Sequence, residues 1–250
     1  MRKLFIGALV GALALAVAAI AFADTTQTYT QKFTSSKANK STGISFVTES
    51  SDASNTANNG QPKSVRTFNI KFPAGTAVDT KGTVECKATD DELIQAGGKP
   101  ACPKSVIGAG SAKVKLPFPG SADINATVTA FAAVKGLILY VDPSPIAQPI
   151  ILHSKFQGNL KNGPTLSTPV PPNCLPPATN QGGQCKKQDG SAGQEAILSH
   201  FDLKTLPKKK GTHILIRSPK KCKATWTATA TLKYADGTSK KIPSKQACKK

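Results

Sequence analysis

Residues 225–237 read TWTATATLKYADG. Trp226, Ala228, Ala230, Leu232 and Tyr234 alternate with Thr227, Thr229, Thr231 and Lys233. A period of two puts five apolar groups on one face of a strand and hydroxyls and an ammonium on the other. Asp236-Gly237 is a hairpin signal, and a returning strand is predicted over 238–242. This is the pattern of a half-buried antiparallel strand.

The same period recurs upstream. Arg66, Phe68, Ile70 and Phe72 share one face of a strand that stops at Pro73-Ala74-Gly75. Strands are predicted over 28–33, 44–48, 106–116, 126–134, 137–141, 150–156 and 214–217. Another is predicted around 197–204, with Ile197, Phe201 and Leu203 on one face and His200, Asp202 and Lys204 on the other. The run LILYV at 137–141 is apolar on both faces, as a covered central strand would be. Residues 49–62 show no apolar periodicity and read as a mobile loop. One short helix is predicted over 89–97, capped by Thr89 or Asp90, favoured by Asp91 and Glu92 in its first turn and stopped by Gly97. About eleven short strands and one helix predict an all-β antiparallel β-sandwich. Residues 24–250 are read as a single domain, with two smaller β domains split near 170–193 as the alternative. Residues 170–193 are a Pro/Gly-rich low-complexity loop.

Residues 1–23 have the pattern of an export signal. Arg2 and Lys3 precede an unbroken apolar run that ends in Ala21-Phe22-Ala23, and polar Asp24 follows. The expected protein is secreted or associated with the cell envelope, with no membrane segment after cleavage. The alternative is a retained anchor, since a run of about 20 apolar residues can span a bilayer. Six cysteines fit an oxidising compartment, and the lack of C-x-x-C spacing favours disulfides over a metal site. The nearest-neighbour pairing, Cys86–Cys102, Cys174–Cys185 and Cys222–Cys248, encloses a helix, a loop and a hairpin respectively, and it is the pairing predicted.

The chain is basic, with a formal net charge of +19, almost all of it lysine. Residues 200–250 hold fourteen basic residues against Asp202 and Asp236. A field of one sign attracts polyanions. Lys208, Lys209, Lys210, Lys220 and Lys221 are the candidate anion-binding residues, and an anionic cell-wall polymer or polysaccharide is the partner they suggest. Specific nucleic-acid recognition is not expected, because lysine lacks the bidentate fork of arginine.

No catalytic motif is complete. Ser111 in GAGSA does not match G-x-S-x-G. The same glycines do not form G-x-G-x-x-G, and Ser218-Pro219-Lys220-Lys221 matches S-x-x-K only with a proline inside it. His153, His200 and His213 fall on three predicted strands and read as surface residues. A cluster of the three, or a His200–Asp202 pair, is the alternative. No enzyme activity, cofactor or metal is expected.

Several motifs occur together. Cys86 precedes the helix and Cys102-Pro103-Lys104-Ser105-Val106-Ile107-Gly108-Ala109-Gly110-Ser111-Ala112 follows it; later come Cys222, Trp226, Tyr234-Ala235-Asp236-Gly237 and Cys248. This combination resembles a group of exported bacterial β-sandwich proteins with no assigned activity, which carry C…CPxSxxGxGxA and a later C…W…YxDG…C. The resemblance spans most of the chain after residue 23. It implies export, a β fold and the first and last disulfides, and nothing about activity. The Cys174/Cys185 loop lies outside it. The function expected is therefore a non-enzymatic exported protein, structural or ligand-binding. The alternatives are a polyanion- or polysaccharide-binding module and a hydrolase with an unrecognised site. Intact-mass analysis of the exported protein is expected to place its N-terminus at Asp24; full-length chain in the membrane pellet would contradict that.

Overall fold

Alternation of the kind seen at 225–234 builds a sheet with one face turned to a common core. The computed structural model describes residues 25–143, 148–159 and 161–249. The leader read at 1–23 lies outside them. Eleven strands form one sheet: β1 (Thr26–Phe33), β2 (Ile44–Ser51), β3 (Val65–Lys71), β4 (Val106–Lys115), β5 (Ile124–Ala133), β6 (Gly136–Asp142), β7 (Ile150–Gln157), β8 (Thr165–Pro169), β9 (Glu195–Thr205), β10 (Thr225–Tyr234) and β11 (Ser239–Ala247). Their order is β1-β2-β9-β4-β5-β6-β7-β8-β3-β10-β11, and every adjacent pair is antiparallel. Asn173–Cys174 adds a short strand beside β9. Strands from before and after residues 170–193 interleave within this sheet.

The all-β antiparallel fold is realised as a sheet curled until its two edges meet. Eleven alternating strands leave the first and last pointing the same way, so the closing pair is parallel. Side chains of β11 do most of the joining. The Gln246 carboxamide accepts from the Phe33 N–H (2.7 Å) and donates to the Phe33 carbonyl (3.0 Å). Ser244 Oγ accepts from the Gln31 N–H (2.8 Å) and donates to the Gln31 carbonyl (3.2 Å). Past the strand ends the backbones pair directly, Ala38 N to Lys249 O and Lys249 N to Ser36 O.

The inner faces share one core. Phe33 meets Trp226 edge-on at 5.5 Å, and Phe46 stacks on Phe201 at 5.6 Å. Outside the barrel, residues 79–105 cross β5 and β6 and bury Phe131, Ile138 and Tyr140 under Cys86, Cys102 and Leu93. That cover explains why β6 is apolar on both faces. The helix spans Asp90–Gln95 with a capping box: Thr89 Oγ1 accepts from Glu92 N, and Glu92 Oε2 accepts from Thr89 N. Six residues would not hold a helix alone. The Cys86–Cys102 bridge closes the segment, a loop size that contributes about 3 kcal/mol in the chain-entropy model. Cys174–Cys185 and Cys222–Cys248 are also joined, so all three predicted pairs are present.

Four local expectations are corrected. Residues 49–62 are ordered by β2, a 3-10 turn at Thr56–Asn58 and the Asn55 and Asn59 side chains, which bond to Gln61 O and Ser121 O. The strand expected at 214–217 is two separate pieces: His213–Ile214 pairs with Lys209–Lys210, and Ile216–Arg217 with Ala77–Val78. A bulge at Ser199 puts Leu198, not Ile197, on the inner face with Phe201 and Leu203. Residues 170–193 contain a hairpin, Thr179–Gln181 against Gln184–Lys186, turned by Gly182-Gly183 with both φ angles positive. The GAGSA glycines have a structural use. A Cβ on Gly110 would collide with the Asp202 carbonyl across the β4–β9 pair.

The seam generates a prediction. In the double variant Ser244→Ala/Gln246→Ala, the Gln31 and Phe33 backbone groups lose these partners, at a cost of about 1–3 kcal/mol for each buried group left unsatisfied. Urea unfolding is expected to show a loss of at least about 2 kcal/mol. A loss below about 0.5 kcal/mol, the range of an ordinary surface substitution, would mean that the seam does not hold the edges.

Candidate functional site

The two ends of the barrel are filled differently. At one end Phe33, Phe72, Ile107 and Trp226, from the ends of β1, β3, β4 and β10, are buried. Leu215, in the 206–224 connection, is buried with them and joins the same core. This end is plugged.

Toward the other end the interior is open. A cavity of about 110 Å³ lies among Phe46, Phe68, Ile70, Leu137, Leu139, Val141, Leu152, Leu198 and Phe201. It is somewhat smaller than the roughly 150 Å³ apolar cavity that takes benzene. Several inward apolar side chains, Val65, Phe68, Ile150 and Leu198, are only half-buried although they pack on the core. Two bulges flank this end, at Ser199 in β9 and at Arg66, where Tyr234 pairs with Val65. Bulges concentrate at barrel rims, where they re-aim side chains.

The rim is polar. Glu195 receives a bidentate pair from Arg66, Nη1 to Oε1 at 2.8 Å and Nη2 to Oε2 at 2.9 Å, and a hydrogen bond from Ser64 Oγ at 2.8 Å. Arg66 Nε also donates to the Gly183 carbonyl at 3.1 Å, which ties the Cys174–Cys185 hairpin to the barrel. Gln61 is buried and donates to the carbonyls of both Lys115 and Glu195 at 2.8 Å. Ser50, Ser64 and Asn173 add to the polar lining, with Gln27, Thr48 and Thr168. Beside the cavity, Tyr29 packs edge-on against Phe68 at 5.9 Å. Burial pushes its phenol well above the usual tyrosine range, so it stays a neutral donor. Tyr29 Oη and Gln31 Nε2 are buried with no protein partner among the described residues. Among the described residues the lining consists of apolar walls with a few polar groups at one end.

The three histidines are apart, each beside a carboxylate. His153 Nε2 lies 2.8 Å from Asp90, and His213 Nδ1 lies 2.7 Å from Asp79. The hydrogen bond from His213 is the main reason the Asp79 carboxyl sits below its usual range. His200 lies between Asp202 (3.2 Å) and Glu49 (3.4 Å). Ser111 Oγ bonds to the same Asp202 oxygen. The carboxylate thus stands between serine and imidazole, and the imidazole makes no contact through which to take the serine proton, as a triad requires. No group of three metal-ligating side chains occurs among the described residues. Of the candidate anion-binding lysines, Lys209 and Lys210 lie in the small hairpin at the plugged end, and Lys220 and Lys221 precede Cys222; these four are exposed and Lys208 is half-buried. Sequence patterns point to Phe68 and Ile70 as core residues but not to the cavity between them. Only the polar residues Gln27 and Gln31 at inward positions of β1 hint at an interior that is not fully packed.

Comparison with protein-family models, with curated proteins and with solved structures found no match to this chain.

Proposed function

We propose that the chain is an exported, non-enzymatic protein of the cell envelope or medium that holds a small apolar molecule inside its barrel. The observation that carries this reading is the cavity, bounded by apolar side chains on several strands and reached from the polar rim. Small barrels hold single ligands in this way. By comparison with the roughly 150 Å³ cavity that takes benzene, the space suits an apolar ligand of about six non-hydrogen atoms. Any polar atom of the ligand would sit at the rim, near Ser64 and Asn173. The three disulfides are in keeping with an oxidising compartment outside the cytoplasm.

Benzene has a fitting size and no polar group. Calorimetry with the mature chain is expected to show one saturable site with a negative heat-capacity change, the mark of apolar burial. Leu198→Trp should fill the space and weaken binding at least about tenfold, or about 1.4 kcal/mol, with the near-ultraviolet circular dichroism of a folded chain retained. Val65→Phe serves the same purpose should the first variant unfold. Absence of saturable binding to the parent chain, or equal binding by both folded variants, would overturn the reading.

A further inference from the structure

The outer face of the barrel around the seam has its own chemistry. Over six adjacent strands, β7-β8-β3-β10-β11-β1, the outward positions contain no aspartate or glutamate. They hold six exposed lysines: Lys32, Lys71, Lys155, Lys233, Lys241 and Lys245. None of the six makes an ion pair among the described residues, where the bridging lysines are Lys63 and Lys115. Carboxylates appear only at the borders, and each is engaged: Asp90 with His153, Glu49 with His200 and Asp236 with Lys63. Thr238 and then Lys63 hold the Asp236 carboxyl down at about 2.

Between the lysines the face is covered by short hydroxyl and amide side chains in register. One row runs Lys155, Ser167, Asn69, Thr231, Lys241 across five strands. With neighbouring strands about 4.8 Å apart, the backbones of its two lysines are about 19 Å apart along the sheet. Lys241 and Lys245 are about 13 Å apart along β11. Lys32 and Lys245 stand level across the seam, between the Gln31–Ser244 and Phe33–Gln246 contacts, but charges spread over the whole face cannot all converge on one small anion. They fit an extended polymer with anionic groups along its length.

We propose that this face binds an acidic polysaccharide, with carboxylate or sulfate groups on the lysines and sugar hydroxyls against the threonine and serine rows. The face lacks what other polyanions use. It offers no aromatic ring for base stacking and no outward arginine fork for phosphate. Its large apolar outward residue, Ile151, is half-buried against the 79–105 segment. The exposed ones, Val84, Ile94, Phe118, Val134 and Leu206, lie off these six strands, so nothing large and apolar stands free to enter a bilayer. Half of the six lysines, Lys32, Lys71 and Lys155, come from outside the basic C-terminal third. Folding, not the local sequence, gathers this field, and it is separate from the loop lysines 208–210 and 220–221. The inference does not depend on the cavity.

The test uses the mature chain and alginate, a polyuronate, at about 0.05 M salt, where exposed charges act over more than 10 Å. The triple variant Lys71→Gln/Lys233→Gln/Lys241→Gln is expected to bind alginate at least about tenfold more weakly and with a shallower salt dependence. The loop variant, with Lys208, Lys209, Lys210, Lys220 and Lys221 all changed to Gln, removes more charge and is expected to change affinity less than about twofold. Exposed lysine substitutions leave folding intact, which melting curves check. An equal or larger loss in the loop variant would overturn the proposal. So would failure of the parent chain to bind alginate, or tighter binding to single-stranded DNA or to vesicles with about 30% anionic lipid at the same salt.

Discussion

The parity of the sheet is the constraint on which the rest of the structure depends. An even number of alternating strands closes with an antiparallel ladder; eleven cannot, and the closing pair, β1 and β11, runs parallel. The backbone groups of Gln31 and Phe33 are met instead by Ser244 and Gln246, whose side chains stand in for a neighbouring strand. Pro243, which has no N–H to offer, is tolerated there because β11 is a chain edge. The same arrangement removes the two exposed edges that an open sheet would present to other chains.

Closure sets what lies inside and outside. Inside, large side chains fill one end, around Phe33, Phe72 and Trp226, and leave the other end unfilled between Phe46, Phe68 and Leu139. The unfilled end is where the two bulges, the Arg66–Glu195 pair and the Cys174–Cys185 hairpin gather. Outside, one stretch of the sheet is covered by residues 79–105 and tolerates Phe131 and Tyr140. The uncovered stretch around the seam carries lysines and small side chains, with no carboxylate at its outward positions. Two surfaces of opposite character thus come from one sheet, an apolar inner space and a hydrophilic, cationic outer face.

Much of the fold was legible in the sequence. Trp226 to Tyr234 declared its face through alternation, LILYV declared that it was covered on both sides, and the six cysteines paired as local units because each pair brackets one element. Residues 165–169 escaped notice, since Leu166 is the only large apolar residue there and a strand so short gains its identity from β3 and β7 beside it. The Ser199 bulge is equally silent: it inverts which of Ile197 and Leu198 faces inward without altering composition. The hairpin within 170–193 was hidden by low complexity, although Gly182-Gly183 is a two-residue turn signal.

The candidate sites were far less legible. A cavity is a property of closure, and no residue type announces it. The outer lysine field draws on positions from 32 to 245, so counting charge by segment favours the C-terminal loops instead. Diffraction from crystals pressurised with xenon tests the central claim most directly, that an odd-stranded sheet held shut at the β1–β11 seam encloses an apolar space. The account predicts xenon between Phe46, Phe68, Leu139 and Leu198, with Gln246 still bonded to Phe33. An interior filled by Phe68 and Leu198 and empty of xenon, or a β1 edge standing away from β11, would contradict it.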